Sequence, residues 1–94
     1  MATVTEIGTL LDRNPRIRGG RPKIAGTGIT VARIVIFARQ QYSPEEIAEQ
    51  YPHINLAQVH AALAYYHSNK EEIDTDLAET EAWEDALEKQ HARQ

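Results

Sequence analysis

Cysteine is absent from this chain, which excludes a disulfide framework and any thiolate-bound metal. Aromatic residues are scarce, with one Trp, one Phe and four Tyr among 94 residues. No apolar run approaches the roughly 18 residues that cross a bilayer. The first residues, with Glu6 and no continuous apolar stretch, do not read as a secretory signal, so the expectation is a soluble, cytoplasmic protein without membrane contact. Net positive charge is also missing: the total is −4. Glycine is sparse, and four of the five (Gly19, Gly20, Gly26, Gly28) crowd into one segment. A unit of about 60 residues buries only roughly 60% of its unfolded surface, so a domain this small is expected to self-associate into a homodimer.

The charge total conceals a division. Residues 1–41 carry seven Lys/Arg against Glu6 and Asp12, a net of +5, whereas residues 42–94 carry three basic against twelve acidic groups, a net of −9. Such asymmetry suits a basic binding surface with an acidic tail. The positive pole is the glycine segment, Arg16-Ile-Arg-Gly-Gly-Arg-Pro-Lys-Ile-Ala-Gly-Thr-Gly-Ile-Thr30. Glycine there permits tight turns and close approach of another chain or a phosphate. The segment reads as two or three very short strands or a ribbon.

Around it the periodicity is helical. Thr3 and Glu6 have capping-box spacing before Val4, Ile7 and Leu11, predicting a short helix over about 4–12, stopped by Asn14-Pro15. Thr30 is the predicted N-cap of a core helix carrying Val31, Ile34, Val35 and Ala38, ended by Tyr42-Ser43. Ser43-Pro44-Glu45-Glu46 starts a second, short helix, stopped near Pro52. Asn55 and Gln58 start a third, running from about Leu56 to Ser68. Three short helices with one tight connection predict a mainly α, homeodomain-like helix-turn-helix bundle preceded by short β-strands. The expected domain covers 1–69. Residues 70–94 hold nine acidic and three basic groups with only Ile73, Leu77, Trp83 and Leu87 as large apolar side chains. That stripe is thin for a helix buried alone, so the acidic tail reads as a frayed helix or a segment ordered by a partner.

The run Arg18 to Val31, the pieces Ser43-Pro-Glu-Glu-Ile47 and Tyr51-Pro-His-Ile-Asn-Leu56, and the helix Val59-His-Ala-Ala-Leu-Ala-Tyr-Tyr66 resemble a bacterial family catalogued as domain of unknown function 433. That family includes antitoxin-like proteins of the VapB type. The resemblance spans roughly residues 12–73. It implies a homeodomain-like bundle behind short strands, often a dimer, and in some members a toxin–antitoxin pair whose toxin is a PIN-type ribonuclease. Family members commonly carry Arg after the Gly-Thr pair, where this chain has Gly28.

The candidate sites follow. Nucleotide loops fail on spacing: no Gly-x4-Gly-Lys-Ser/Thr occurs, and Val31 stands where a dinucleotide fingerprint needs glycine. Phosphate contact falls instead to Arg16, Arg18, Arg21 and Lys23, with Arg33 or Arg39 beside them, because the guanidinium fork matches phosphate. If the third helix entered a major groove, Asn55, Ala57, Gln58, Ala61 and Tyr65 would face the bases, and Gln58 could read adenine. Competing with this, the helix lacks Arg and Lys, and a capping box already accounts for Asn55 and Gln58. His60 and His67 lie about 10 Å apart along a helix, too far to share a metal. Glu45 and Glu46 suit a helix dipole better than catalysis. No enzyme activity, metal or small-molecule cofactor is expected. Ile73, Leu77, Trp83 and Leu87 are the candidate partner-binding residues, and Trp83 either docks onto its own bundle or anchors a partner. The leading expectation is a dimeric antitoxin-like or transcriptional regulator that binds DNA and a partner toxin. The alternative is a protein–protein interaction module without nucleic acid.

Overall fold

Leu11 and Ile24 sit opposite one another in a minimal antiparallel sheet, β1 (Leu11–Asp12) against β2 (Lys23–Ile24), with Asp12 opposite Lys23. A computed structural model of the chain describes residues 7–79. Behind the sheet come helices α1 (Val31–Arg39), α2 (Pro44–Glu49) and α3 (Leu56–Ser68), then a fourth, α4, over residues 70–79. The architecture is mainly helical with one short sheet. Its core unites Ile24, Val31, Ile34, Val35, Ile47, Val59, Ala62, Ile73 and Leu77, all essentially solvent-free.

Local chemistry explains the starts of these helices. Thr30 accepts from the Arg33 N–H at α1. Ser43 and Glu46 form a complete capping box at α2, with Pro44 at the first helical position. The bonds from Ser43 hold the Glu46 carboxyl below its ordinary pKa. Asn55 and Gln58 form the same box at α3. Each box satisfies two amide donors that a helix end otherwise leaves orphaned. All three starts agree with the sequence expectation because caps are decided within four residues.

The end of α1 departs from expectation. The helix stops at Arg39, ahead of the Tyr42-Ser43 boundary, because Gln41 turns left-handed at φ +69°. The Gln41 N–H then donates to the Ala38 carbonyl and the Tyr42 N–H to that of Phe37, a Schellman closure in which glycine is the usual residue. Strain at a non-glycine residue here outweighs glycine's extra chain entropy. Gln41→Gly should therefore stabilise the fold by about 0.5–1 kcal/mol. A lower Tm in thermal unfolding would contradict this.

Two other expectations are corrected. No helix spans 4–12 among the described residues: Ile7–Thr9 is a single 3-10 turn, and Leu11–Asp12 is strand. Pairing with β2 half-buries Leu11 and places Asp12 beside Lys23, which a helix would not do. The proposed cap at Thr3 and Glu6 lies outside the described residues. The second correction concerns α4. Ile73 is 0% and Leu77 1% exposed, so 70–79 completes the core of the bundle instead of standing beside a domain that ends at 69. Two residues one turn apart suffice because α1, α3 and β2 have already assembled the apolar surface that receives them.

Candidate functional site

The ribbon between β1 and β2 folds into a corner. A 3-10 turn at Arg18–Gly20 carries three successive left-handed residues, Arg18 (φ +51°), Gly19 (φ +64°) and Gly20 (φ +78°). The Gly20 N–H donates to Ile17 and the Arg21 N–H to Arg18, closing the turn on itself. Arg18 Nε donates to the Gly28 carbonyl at 3.1 Å, tying this turn to the next one. The guanidinium lies 3.8–3.9 Å from where a Cβ at position 28 would begin. That is ordinary van der Waals contact, so a small side chain at position 28 would fit beside Arg18.

Opposite the corner stands the acidic face of α4. Glu72, Asp76 and Glu79 recur at four- and three-residue intervals and so share one side of the helix. With Arg13, Arg18 and Arg21 they line a cleft of about 520 Å³. Arg13 Nη2 meets Glu72 at 2.7 Å, and Arg21 Nη2 meets Glu79 at 2.7 Å with Asp76 further off at 3.6 Å from its Nε. Across the bundle, Arg39 pairs with Asp74 at 3.0 Å and donates to Tyr66. These pairs are half-exposed, so each contributes between zero and about 1 kcal/mol. Their larger consequence is electrostatic: the acidic helix neutralises the base of the basic ribbon within the same molecule.

Tyr65 completes the arrangement by donating to Glu72 while accepting from Arg13. The Tyr65 bond, helped by Arg13, draws the Glu72 carboxyl below its ordinary pKa. Burial pushes Asp76 the other way despite the nearby Arg21. A carboxyl with a lowered folded pKa stabilises above its unfolded value and loses that contribution as pH falls through the folded one. Asp76, raised, has the opposite sign and gains from protonation. Glu72→Gln should therefore flatten the loss of Tm below the ordinary glutamate range, measured as Tm against pH. An unchanged acid limb would show that the Tyr65–Arg13 cradle carries no linkage.

The sequence-predicted residues are dispersed by the fold. Lys23 is buried, 2% exposed, and pairs with Asp12 at 2.6 Å. That placement corrects its assignment to phosphate contact, since the ammonium faces a strand partner. Arg21 points to α4. Gln58 Oε1 accepts from the Asn55 N–H, so the group expected to read adenine is engaged in the cap. Arg33 is exposed in the first turn of α1. Arg16 and Arg18 are exposed at the corner, flanking Ile17, itself 37% exposed. Ile73 and Leu77 are core residues, which corrects their assignment to a partner surface. Trp83 and Leu87 lie outside the described residues. Among the described residues no group of three or more His, Asp or Glu is placed to hold a metal, and no helix is long and apolar enough to cross a membrane. Arg13 and the Glu72–Asp76–Glu79 face were not anticipated. The three-and-four spacing was legible, but its partners lie 58 and 59 residues away.

A small helical bundle fronted by a short, basic, glycine-turned ribbon is the class this geometry defines. The chain belongs to the family described as protein of unknown function (DUF433), whose profile matches residues 11–66. A crystal structure of a DUF433 member from Anabaena variabilis is similar to it, with a TM-score of 0.70 and 30% identity. That similarity covers 74% of this chain and 69% of the cyanobacterial one. No curated protein matches. The family match ends before α4, so the acidic face that engages Arg13 and Arg21 lies beyond it.

Proposed function

We propose that this chain is a small dimeric, antitoxin-like regulator of the VapB type, cytoplasmic, with α1–α3 in a homeodomain-like arrangement. It binds DNA through the basic N-terminal half and a PIN-type ribonuclease toxin through the segment bearing Trp83 and Leu87. The observation that carries this reading is the charge left at the corner. Arg13, Arg21 and Lys23 all have carboxylate partners, whereas Arg16 and Arg18 make no ion pair among the described residues. A basic ribbon serving only as a turn would not need an exposed positive tip after its base has been neutralised.

Titration onto the DNA upstream of its own gene tests the proposal. Affinity should fall steeply with salt, as displacement of counterions requires. Charge reversal at Arg16 and Arg18 should abolish binding with Tm unchanged, and absence of binding at low salt would refute the DNA reading. Co-expression with the product of an adjacent PIN-type gene tests the toxin.

A second reading, an interaction module without nucleic acid, draws on α3. Its exposed residues Ala57, His60 and Ala64 include no Asp, Glu, Lys or Arg. Beside them Leu11, Pro22, Ala61 and Tyr65 line a cavity of about 410 Å³, together with Asp12 and Arg13, which are engaged in ion pairs with Lys23 and Glu72. Charge depletion of this kind marks the centres of protein interfaces. That reading expects stable co-purification with a protein partner and no response to duplex DNA.

A further inference from the structure

Arg18 occupies a backbone conformation that costs an L-residue energy, directly before two glycines that adopt it freely. Glycine at position 18 would build the same turn with less strain, so the side chain is what the position retains. That side chain is aimed. Its Nε is bonded to the Gly28 carbonyl, laying the guanidinium along the surface beside the turn. Arg18 shares a cleft with Glu72, Asp76 and Glu79, but those carboxylates pair with Arg13 and Arg21, and its two terminal nitrogens make no ion pair among the described residues. Arg16, two residues earlier, is likewise exposed without an ion pair among them.

We infer that the Arg16–Arg18 corner is a phosphodiester site that grips a nucleic-acid backbone without reading its bases. This rests on the DNA reading above and deepens it. Two terminal N–H groups of a guanidinium match two phosphate oxygens. A guanidinium pinned sideways at Nε cannot also extend to base edges at the floor of a groove about 8.5 Å deep. The helix that would otherwise read bases is poorly equipped. Reading adenine takes both the oxygen and the amino group of an amide, and the side-chain oxygens of Asn55 and Gln58 are held in their capping box. No Lys or Arg lies on α3. The contact therefore sets affinity and register, not sequence choice.

Fluorescence anisotropy with two labelled duplexes of unrelated sequence, at several salt concentrations, tests this on the full chain. The wild type should bind both duplexes alike. Arg16→Gln and Arg18→Gly should each weaken binding about tenfold at low salt and reduce the log–log salt slope by about 0.9. Arg18→Gly should keep or raise Tm, because it relieves the left-handed strain. Arg16→Gln removes a side chain with no ion pair among the described residues and should leave Tm unchanged. Wild-type binding with both variants unaffected overturns the inference and moves the DNA contact away from the corner to other basic residues. Strong preference for one duplex overturns the base-independence. Competition by polyglutamate as effective as duplex at equal charge assigns the corner to an acidic protein and overturns it too. A wild type that binds neither duplex removes the DNA reading itself.

Discussion

Ile73→Ala is expected to destabilise the protein by about 2–5 kcal/mol, the usual range for truncating a fully buried aliphatic side chain. Small domains have only about 5–15 kcal/mol of net stability, so this substitution removes a large share of it. The expectation follows from 0% exposure of Ile73 beside Leu77, Val31, Ile34 and Val35 within one apolar cluster. Part of the cost is lost transfer energy, and part is the cavity that α4 leaves if it cannot close onto α1 and α3. Urea unfolding measures it as a lower midpoint with unchanged slope. Ile17→Ala, at a position 37% exposed, serves as the control and should shift stability by less than about 0.5 kcal/mol. Equal effects at the two positions would mean that residues 70–79 are an appendage and that Ile73 is available to a partner after all.

Asp12→Ala is expected to cost about 1–3 kcal/mol, because it leaves the largely buried Lys23 ammonium without its carboxylate. The Lys23 side chain is 3% exposed and that of Asp12 46%, so the two halves of the pair are not equivalent. Removing the aspartate strands a buried charge. Lys23→Met removes the buried charge itself, fills the same volume, and returns Asp12 to water. That substitution should be near neutral, within about 1.5 kcal/mol either way. Thermal and urea unfolding of the two single variants and the double variant measure the asymmetry. Equal losses would show the pair behaving as an ordinary surface ion pair. The same measurement bears on function, since Lys23→Met should leave nucleic-acid binding unchanged if the ammonium serves only the strand pair.

Both expectations concern contacts beyond the reach of a single helical turn, and that reach separates what could be read early from what could not. Ser43 with Glu46 and Asn55 with Gln58 announced α2 and α3, since each cap is a bargain struck between neighbours three residues apart. The apolar spacing of Val31, Ile34 and Val35 announced the central face of α1. Thr3-Val-Thr-Glu6 and its following apolar residues pointed equally clearly to a helix, and there Leu11–Asp12 became strand. The short periodicity of 4–12 was too weak to prevail against pairing with Lys23–Ile24.

The candidate site shows the division more sharply. Its positive charge, its glycines and the acidity of the tail are all visible in the sequence. Which arginines stay available is not. Arg13, Arg16, Arg18 and Arg21 lie within nine residues and look alike on paper, yet the fold turns Arg13 and Arg21 toward α4 and leaves Arg16 and Arg18 at the corner. Likewise Ile73 and Leu77 looked too few to bury a helix, because a stripe is judged alone in the sequence and against its receiving surface in the fold.

The sequence by itself determined where α1, α2 and α3 begin, the mainly helical class and the polarity of charge, because caps, apolar period and composition act over a few residues. The tertiary structure alone decided that α4 belongs to the core, that Lys23 is a strand partner, and that the basic ribbon retains its charge only at one corner. The first and last of those outcomes depend on close approach of groups as much as 59 residues apart, the second on the pairing of β1 with β2, and both burial and ion pairing are set by such proximity.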